Sequence, residues 1–328
     1  MITARRALAV LWLGAFGCAD ADGDRDDTTV AMTSIGSVTQ AGSATDASGD
    51  TSAASTGTGG ADGSSGDSGV DGGPVFDLGD GSTGAPSCVP VAATEQTCDD
   101  VDDDCNGYID DIDVGGDGIC DCLSIALLGQ PGSLASSQFV AWLTMQGTSS
   151  ERIDPAAIDD AALAPYDIII IDRLTRTYDD AEATALADWV DAGGGLMAMT
   201  GHTADPTMAQ SWPNTLLAPF ELGYEGALLS GPVTDFAVHP ITTGLTSVTF
   251  AGGFAVFEAS PNVSDVVATL PAGPVARARG FGDGKVFVWG DEWIEYDSEW
   301  STMPEITQLW VNTLAWLRPQ DLCAPPPA

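Results

Sequence analysis

From Leu123 onward, short unbroken apolar runs alternate with stretches of helical period. LSIALLG (123–129), DIIIIDR (167–173) and GLMAMTG (195–201) are too short for helices and carry no in–out alternation. That is the signature of strands buried on both faces of a parallel sheet. Between the first two, the segment Leu134 to Gln146 predicts a helix with Phe139, Val140, Leu143 and Met145 on or near one face. Between the last two, Asp179-Asp180 opens a helix whose apolar residues Ala183, Leu186, Ala187 and Val190 follow the i, i+3, i+4, i+7 pattern, and Gly193-Gly194-Gly195 ends it. The alternation predicts right-handed βαβ units and an α/β fold, a doubly wound, mostly parallel sheet over residues 123–323. After Gly201 the period loosens. A helical stretch around Asp205 to Phe220 is interrupted by Pro213 and Pro219. VVATL (266–270), PVARARGFG (274–282) and KVFVWG (285–290) read as strands, the last two joined at Gly282-Asp283-Gly284. A final helix, Pro304 to Leu317, presents Ile306, Leu309, Trp310, Thr313, Leu314 and Leu317 as a core stripe, and residues 324–328 are a tail.

Upstream the pattern is different in kind. Residues 18–86 are a Gly/Ser/Thr/Asp tract whose one apolar island is Pro74-Val75-Phe76-Asp77-Leu78. Such a chain cannot offset its ordering entropy by burial, so it predicts a disordered tether with a reach of roughly 40–50 Å. Before it, Arg5 and Arg6 precede an apolar run, Ala7 to Leu13, far too short to span a bilayer. Residues 1–17 read as a signal peptide. Ala15-Phe16-Gly17-Cys18 resembles a bacterial lipobox, departing from it at Phe16. That resemblance implies export, acylation of Cys18, and a membrane partner held through the lipid anchor, at the outer membrane or cell surface.

Charge narrows the partners. The chain has 48 acidic and 10 basic residues, a formal charge of −38. Such a surface repels phosphate backbones, which excludes nucleic acid as a partner class. Seven cysteines complete the picture, and with Cys18 assigned to lipid an even set remains: Cys88, Cys98, Cys105, Cys120, Cys122 and Cys323. Export favours disulfides, and the clustering of the first five predicts a small stapled module over residues 87–122. Sequence leaves the pairing open. Cys98 with Cys105, Cys323 with the Cys120/Cys122 segment, and Cys88 with the remaining thiol is the expected set. Thiolate ligation of zinc or copper through Cys120-x-Cys122 is the alternative.

Within that module, residues 102–113 (DDDCNGYIDDID) fit a twelve-residue calcium loop. Asp102, Asp104 and Asn106 take positions 1, 3 and 5, Gly107 the turn, Tyr108 offers a carbonyl, Asp110 follows, and Asp113 closes. Ca²⁺ is the cofactor this pattern predicts; a solvated acidic loop is the plain alternative. Glu95 to Gly107, with Cys98 and Cys105 flanking the aspartates, is similar to the cysteine-bearing metal-binding motif of MopE-type bacterial surface proteins. Asp100, Asp103 and Asn106 depart from that motif's pattern.

YDIIIIDR (166–173), ALADWVDAGGGLMAMTG (185–201), HPITTGL (239–245) and GDGKVFVWGDEWI (282–294) resemble the class I glutamine amidotransferase-like, flavodoxin-like family. The resemblance implies a nucleophile elbow after a central strand. Here that turn reads Met199-Thr200-Gly201-His202-Thr203, without cysteine or serine, so amidotransferase activity is not expected to carry over. Open α/β sheets bind ligands beyond the carboxyl ends of their strands. The candidates there are Asp172, Arg173, Thr200, His202, Asp291, Glu292 and Trp293. Carboxylates among Trp293, Tyr296 and Trp300 fit a glycan or protein ligand; a solvated acidic loop with core-covering tryptophans is the other reading. A non-catalytic binding domain is the expected function, and an extracytoplasmic hydrolase of glycans or amides the alternative. His239, before Pro240, is expected to serve a turn.

Overall fold

The computed structural model describes residues 88–132, 134–201, 205, 207–300 and 302–323. Cys18, the signal segment, the tether and the candidate His202 lie outside the described residues. In chain order the elements are β1 (Ser124–Leu128), α1 (Ser137–Met145), β2 (Ser149–Ile153), α2 (Asp160–Leu163), β3 (Ile168–Ile171), α3 (Asp180–Asp191) and β4 (Gly195–Ala198). There follow α4 (Trp212–Leu217), β5 (Leu222–Val233), β6 (Asp235–Phe236), β7 (Val248–Glu258), β8 (Asp265–Leu270), β9 (Gly273–Phe281), β10 (Gly284–Trp289), α5 (Asp297–Trp300) and α6 (Pro304–Leu317).

Eight strands form one sheet in the order β2-β1-β3-β4-β10-β9-β8-β6, and β5 pairs with β7 in a separate antiparallel ribbon. The first five of the eight are parallel neighbours, and β9, β8 and β6 complete the sheet antiparallel. Side chains from successive positions feed opposite cores, which explains the unbroken apolar runs. Ile125, Leu127, Ile168, Ile170, Met197 and Phe287 face α1 and α6. Ala126, Leu128, Ile169, Ile171, Leu196 and Val288 face α3, α4 and the ribbon. The helix α3 starts in a capping box: Asp179 accepts from the backbone of Ala181 and Glu182, and Glu182 accepts from Asp179 N–H.

Two expectations need correction, and two elements were not anticipated. The buried face of α1 is Phe139, Trp142 and Leu143, while Val140 and Met145 are exposed. Trp142 is turned inward because Trp300 packs against it at 5.3 Å between ring centres. The strand β2 and the β5–β7 ribbon carry little sequence signal: β2 is a polar edge strand and β5 is exposed through its middle. The disulfides pair Cys88–Cys105, Cys98–Cys122 and Cys120–Cys323, so the expected Cys98–Cys105 bridge does not form. Cys105 adopts a left-handed backbone (φ 62°) within the aspartate loop, and Cys88 meets it there.

The module of residues 88–122 is fastened to the end of α6 rather than tethered beside it. Ile109 N–H donates to Asp321 O at 3.0 Å and Cys323 N–H donates to Ile109 O at 2.9 Å. Ile119 and Cys120 are buried in the same core as Phe139 and Trp310.

Candidate functional site

Two groups of carboxylates stand out, one in the disulfide module and one at the carboxyl ends of the sheet strands.

In the module, the aspartates fold the loop through its own backbone. Asp102 accepts from Asn106 and Gly107 N–H at 3.1 and 3.0 Å, and Asp104 from Asn106 N–H at 3.0 Å. Asn106 accepts from Tyr108 N–H at 2.8 Å. Asp110, almost wholly buried, accepts from Asp99 and Asp100 N–H, and Asp113 accepts from Asp117 and Gly118 N–H. Asp110 and Asp113 therefore serve neighbouring turns. The group whose oxygens converge is Glu95, Asp104 and Asp111, all within 4.8 Å of one another. Glu95 is buried, with one oxygen accepting from Asp103 N–H at 2.6 Å and the other without a hydrogen-bond donor. Sequence reasoning missed Glu95 and Asp111; Glu95 lies outside the loop pattern, and only its position beside Cys98 hinted at it.

At the sheet, β1 connects outward to β2 while β3 lies on its other side, so the strand order switches between β1 and β3. Asp172 follows β3 at that switch point, where the backbone of Gln130 and Arg173 pair at 2.8 Å. Asp172 accepts from Arg152 of β2 at 2.7 Å and from Arg173 N–H at 2.7 Å. On the other side of β4, the strand β10 runs into a 3-10 turn, Glu292–Glu295, capped by Asp291, which accepts from Trp293 N–H at 3.1 Å. A 3-10 turn eclipses positions three apart, so Glu292 and Glu295 point the same way. The turn is pinned from two further sides: Asp291 accepts from Ala251 N–H of β7, and Trp310 of α6 donates to Ile294 O at 3.0 Å. Tyr296 donates its hydroxyl to Glu292.

The outcome is a buried triad. Asp172, Glu292 and Glu295 bring carboxylate oxygens within 4.8 Å of one another, at 2%, 5% and 0% exposure. Burial foremost, and then Asp172, pushes Glu295 well above the ordinary carboxylate range. Burial also raises Asp172, with Arg152 pulling it back. Asp291 is pushed up to about 7, again mainly by burial. Gly201 is required here, because a Cβ at that position would collide with the Glu292 side chain.

Of the candidates read from sequence, the fold unites Asp172 and Glu292 and lines a small cavity with them, Arg173, Thr200 and Gly201. Thr200 spends its hydroxyl on Ala209 O at 2.7 Å. Asp291 is a capping residue and Trp293 packs edge-on against Tyr296 at 5.5 Å between ring centres. Tyr296 is buried and Trp300 packs at a tilt against Trp142 at the core, so these rings do not form an exposed sugar platform. Asp297 caps α1, accepting from Ser137 Oγ at 2.7 Å and Gln138 N–H at 2.8 Å. His239 holds a turn, its Nδ1 accepting from Ile241 N–H at 3.2 Å.

No protein-family model matches the chain, and no curated protein matches it. Among solved structures it is similar to a cytoplasmic protein from Salmonella typhimurium LT2, with 16% identity over 60% of this chain and 100% of that chain, TM-score 0.49. It is also similar to ThuA-like proteins from Bacteroides uniformis and Parabacteroides merdae. The first is 16% identical over 63% of this chain and 95% of that one, TM-score 0.43. The second is 13% identical over 60% and 90%, TM-score 0.42. These likenesses are distant and bear on neither ligand nor reaction.

Proposed function

We propose that the chain is an extracytoplasmic binding protein, held at a bacterial membrane by lipid on Cys18, whose α/β domain recognises its ligand at the acidic end of the sheet. The observation that carries the binding role is the triad Asp172, Glu292 and Glu295 at the strand ends, in a fold whose described cysteines are all disulfide-bonded. None of those cysteines supplies a thiolate, and the hydroxyl of Thr200 is committed to a backbone carbonyl. Export is supported by the three disulfides, which persist in oxidising compartments, and by the lipobox-like sequence. In the module, Ca²⁺ is the proposed ligand of the group Glu95, Asp104 and Asp111, and it would offset the repulsion among them.

A hydrolase is the second reading, favoured by one feature: buried carboxyls raised like Asp172 and Glu295 are the material of general acids. Against it, the cavity that Asp172 and Glu292 line holds about 10 Å³ among the described residues, space for one water and not for a sugar ring. Glu292→Gln tests both. The binding reading expects the variant to fold and to lose a protein ligand captured by the wild type. Turnover of glycoside or amide substrates by the wild type, abolished in the variant, would establish the enzyme instead. Fatty-acid labelling of cells expressing the wild type or Cys18→Ala tests the anchor; equal labelling removes it.

A further inference from the structure

The triad at the strand ends has a feature that a general ligand surface does not need. Glu295 is fully buried, neither of its carboxylate oxygens meets a hydrogen-bond donor among the described residues, and one of them stands within 4.8 Å of oxygens of two further carboxylates. Among the described residues Arg152 is the guanidinium that meets the group, donating to Asp172 at 2.7 Å and also to Gly129 O at 3.4 Å. Carboxylates this close in a water-poor setting repel one another once ionised, and a bound divalent ion would offset that repulsion. We propose that Asp172, Glu292 and Glu295 together bind one hard divalent cation of the Ca²⁺/Mn²⁺ type.

Geometry supports this apart from charge. Oxygens bound to one ion at about 2.1–2.5 Å stand at most about 5 Å apart, and the three carboxylates here fall within 4.8 Å. All three donors are oxygen, and among the described residues no imidazole or thiolate joins them, which favours Ca²⁺, Mg²⁺ or Mn²⁺. The frame that aims them is rigid and comes from separate elements: Asp172 ends β3, and the two glutamates share a turn pinned by α6 and β7. Two glycines keep the space open. A Cβ at Gly201 would strike Glu292, and one at Gly132 would strike Tyr296, whose hydroxyl orients Glu292. The cavity lined by Asp172 and Glu292 has room for one water, which would complete the ion's coordination on the open side. This deepens the reading of the sheet end as the ligand site by naming an ion within it; the module's own carboxylates are a separate group.

The test uses the full chain with its disulfides intact, freed of metal by chelation and titrated with Mn²⁺ while free Mn²⁺ is followed by electron paramagnetic resonance. The wild type should bind one equivalent more than Glu295→Gln, and Ca²⁺ should displace that equivalent. Asp104→Asn, in the module, should retain it. Saturating Ca²⁺ should raise the Tm of the wild type by several degrees more than that of Glu295→Gln. The variant replaces a buried charge with a neutral isostere, and Glu292→Gln provides a second loss of the same equivalent should Glu295→Gln fail to fold. Equal Mn²⁺ counts in wild type and both variants would overturn the proposal. So would a wild type that binds neither ion at several millimolar, the result expected if the carboxyls share protons instead. A protein ligand lost in Glu292→Gln with no ion bound at all would leave the binding function standing and remove the cation.

Discussion

The bridge Cys120–Cys323 joins residues 203 apart, whereas Cys88–Cys105 and Cys98–Cys122 span 17 and 24. On the chain-entropy account a cross-link acts chiefly by shrinking the unfolded ensemble, as 2.1 + 1.5R ln n in entropy units. That gives about 5 kcal/mol for the long closure and about 3 kcal/mol for each short one at room temperature. Both sulfurs of the long bridge are buried, so the double variant Cys120→Ala/Cys323→Ala also forfeits some packing, on the order of 1 kcal/mol. Native contacts between the same segments survive in part, because Ile109 and the Asp321–Cys323 backbone still pair. The expected loss is therefore about 5–6 kcal/mol in equilibrium urea unfolding, some 2–3 kcal/mol beyond Cys88→Ala/Cys105→Ala. The m-value should rise as well, since the uncrosslinked denatured chain exposes more surface. A loss of 1 kcal/mol or less, or one no larger than for the short bridge, would refute the argument that the end of α6 is clamped through the denatured state.

Glu182 accepts from both Nη atoms of Arg176 at 2.6 and 3.0 Å and from the backbone of Ile158 and Asp179, so Glu182→Gln should cost about 2–3 kcal/mol at neutral pH. Because Arg176 holds the Glu182 carboxyl below its usual 4.5, the folded pKa is depressed. The stabilisation is full above that value and lost as pH falls through the folded pKa, so wild-type and variant Tm should converge in acid; a gap that widens there would contradict the assignment. Asp297→Ala removes an acceptor for the first turn of α1 and should cost about 1 kcal/mol, read by thermal melting; an unchanged Tm would contradict the capping role. Gly201→Ala drives a methyl into Glu292 and should destabilise by about 1–3 kcal/mol; unchanged Tm would show that the turn yields freely.

What could be read from sequence follows from which residues carry an apolar period. Strands β1, β3, β4 and β10 have both faces buried, so each announces itself as an unbroken run, and α6 and α3 carry a full stripe with clear starts. The strand β2, Ser149–Ile153, lies at the sheet edge and is polar, so its backbone pairing with β1 leaves no hydrophobic trace. That loss extends to the site, because Arg152 on β2 is, among the described residues, the cation that reaches Asp172, and nothing in SSERI hints at it. The ribbon of β5 and β7 is interrupted by bulges between Glu225 and Ser230, which break the alternation by which such strands are recognised.

The site divides along the same line. Asp172 and Glu292 were legible because each follows an apolar strand directly, and in a parallel sheet that position is a strand's carboxyl end. Glu295 was passed over as part of an acidic run on an exposed loop. Its spacing from Glu292 held the missing information, since residues three apart align once the segment winds as a 3-10 turn. That winding depends on Asp291 capping the turn and on the Trp310 indole holding Ile294 from α6, contacts between residues distant in sequence. In the module the limit was different. The aspartate spacing describes a loop that closes on an ion, but Cys88–Cys105 and the left-handed Cys105 turn the loop so that Asp110 and Asp113 serve neighbouring backbone. Glu95 enters from outside the pattern to stand with Asp104 and Asp111. A ligand motif fixes which oxygens are available; the covalent cross-links decide which of them meet.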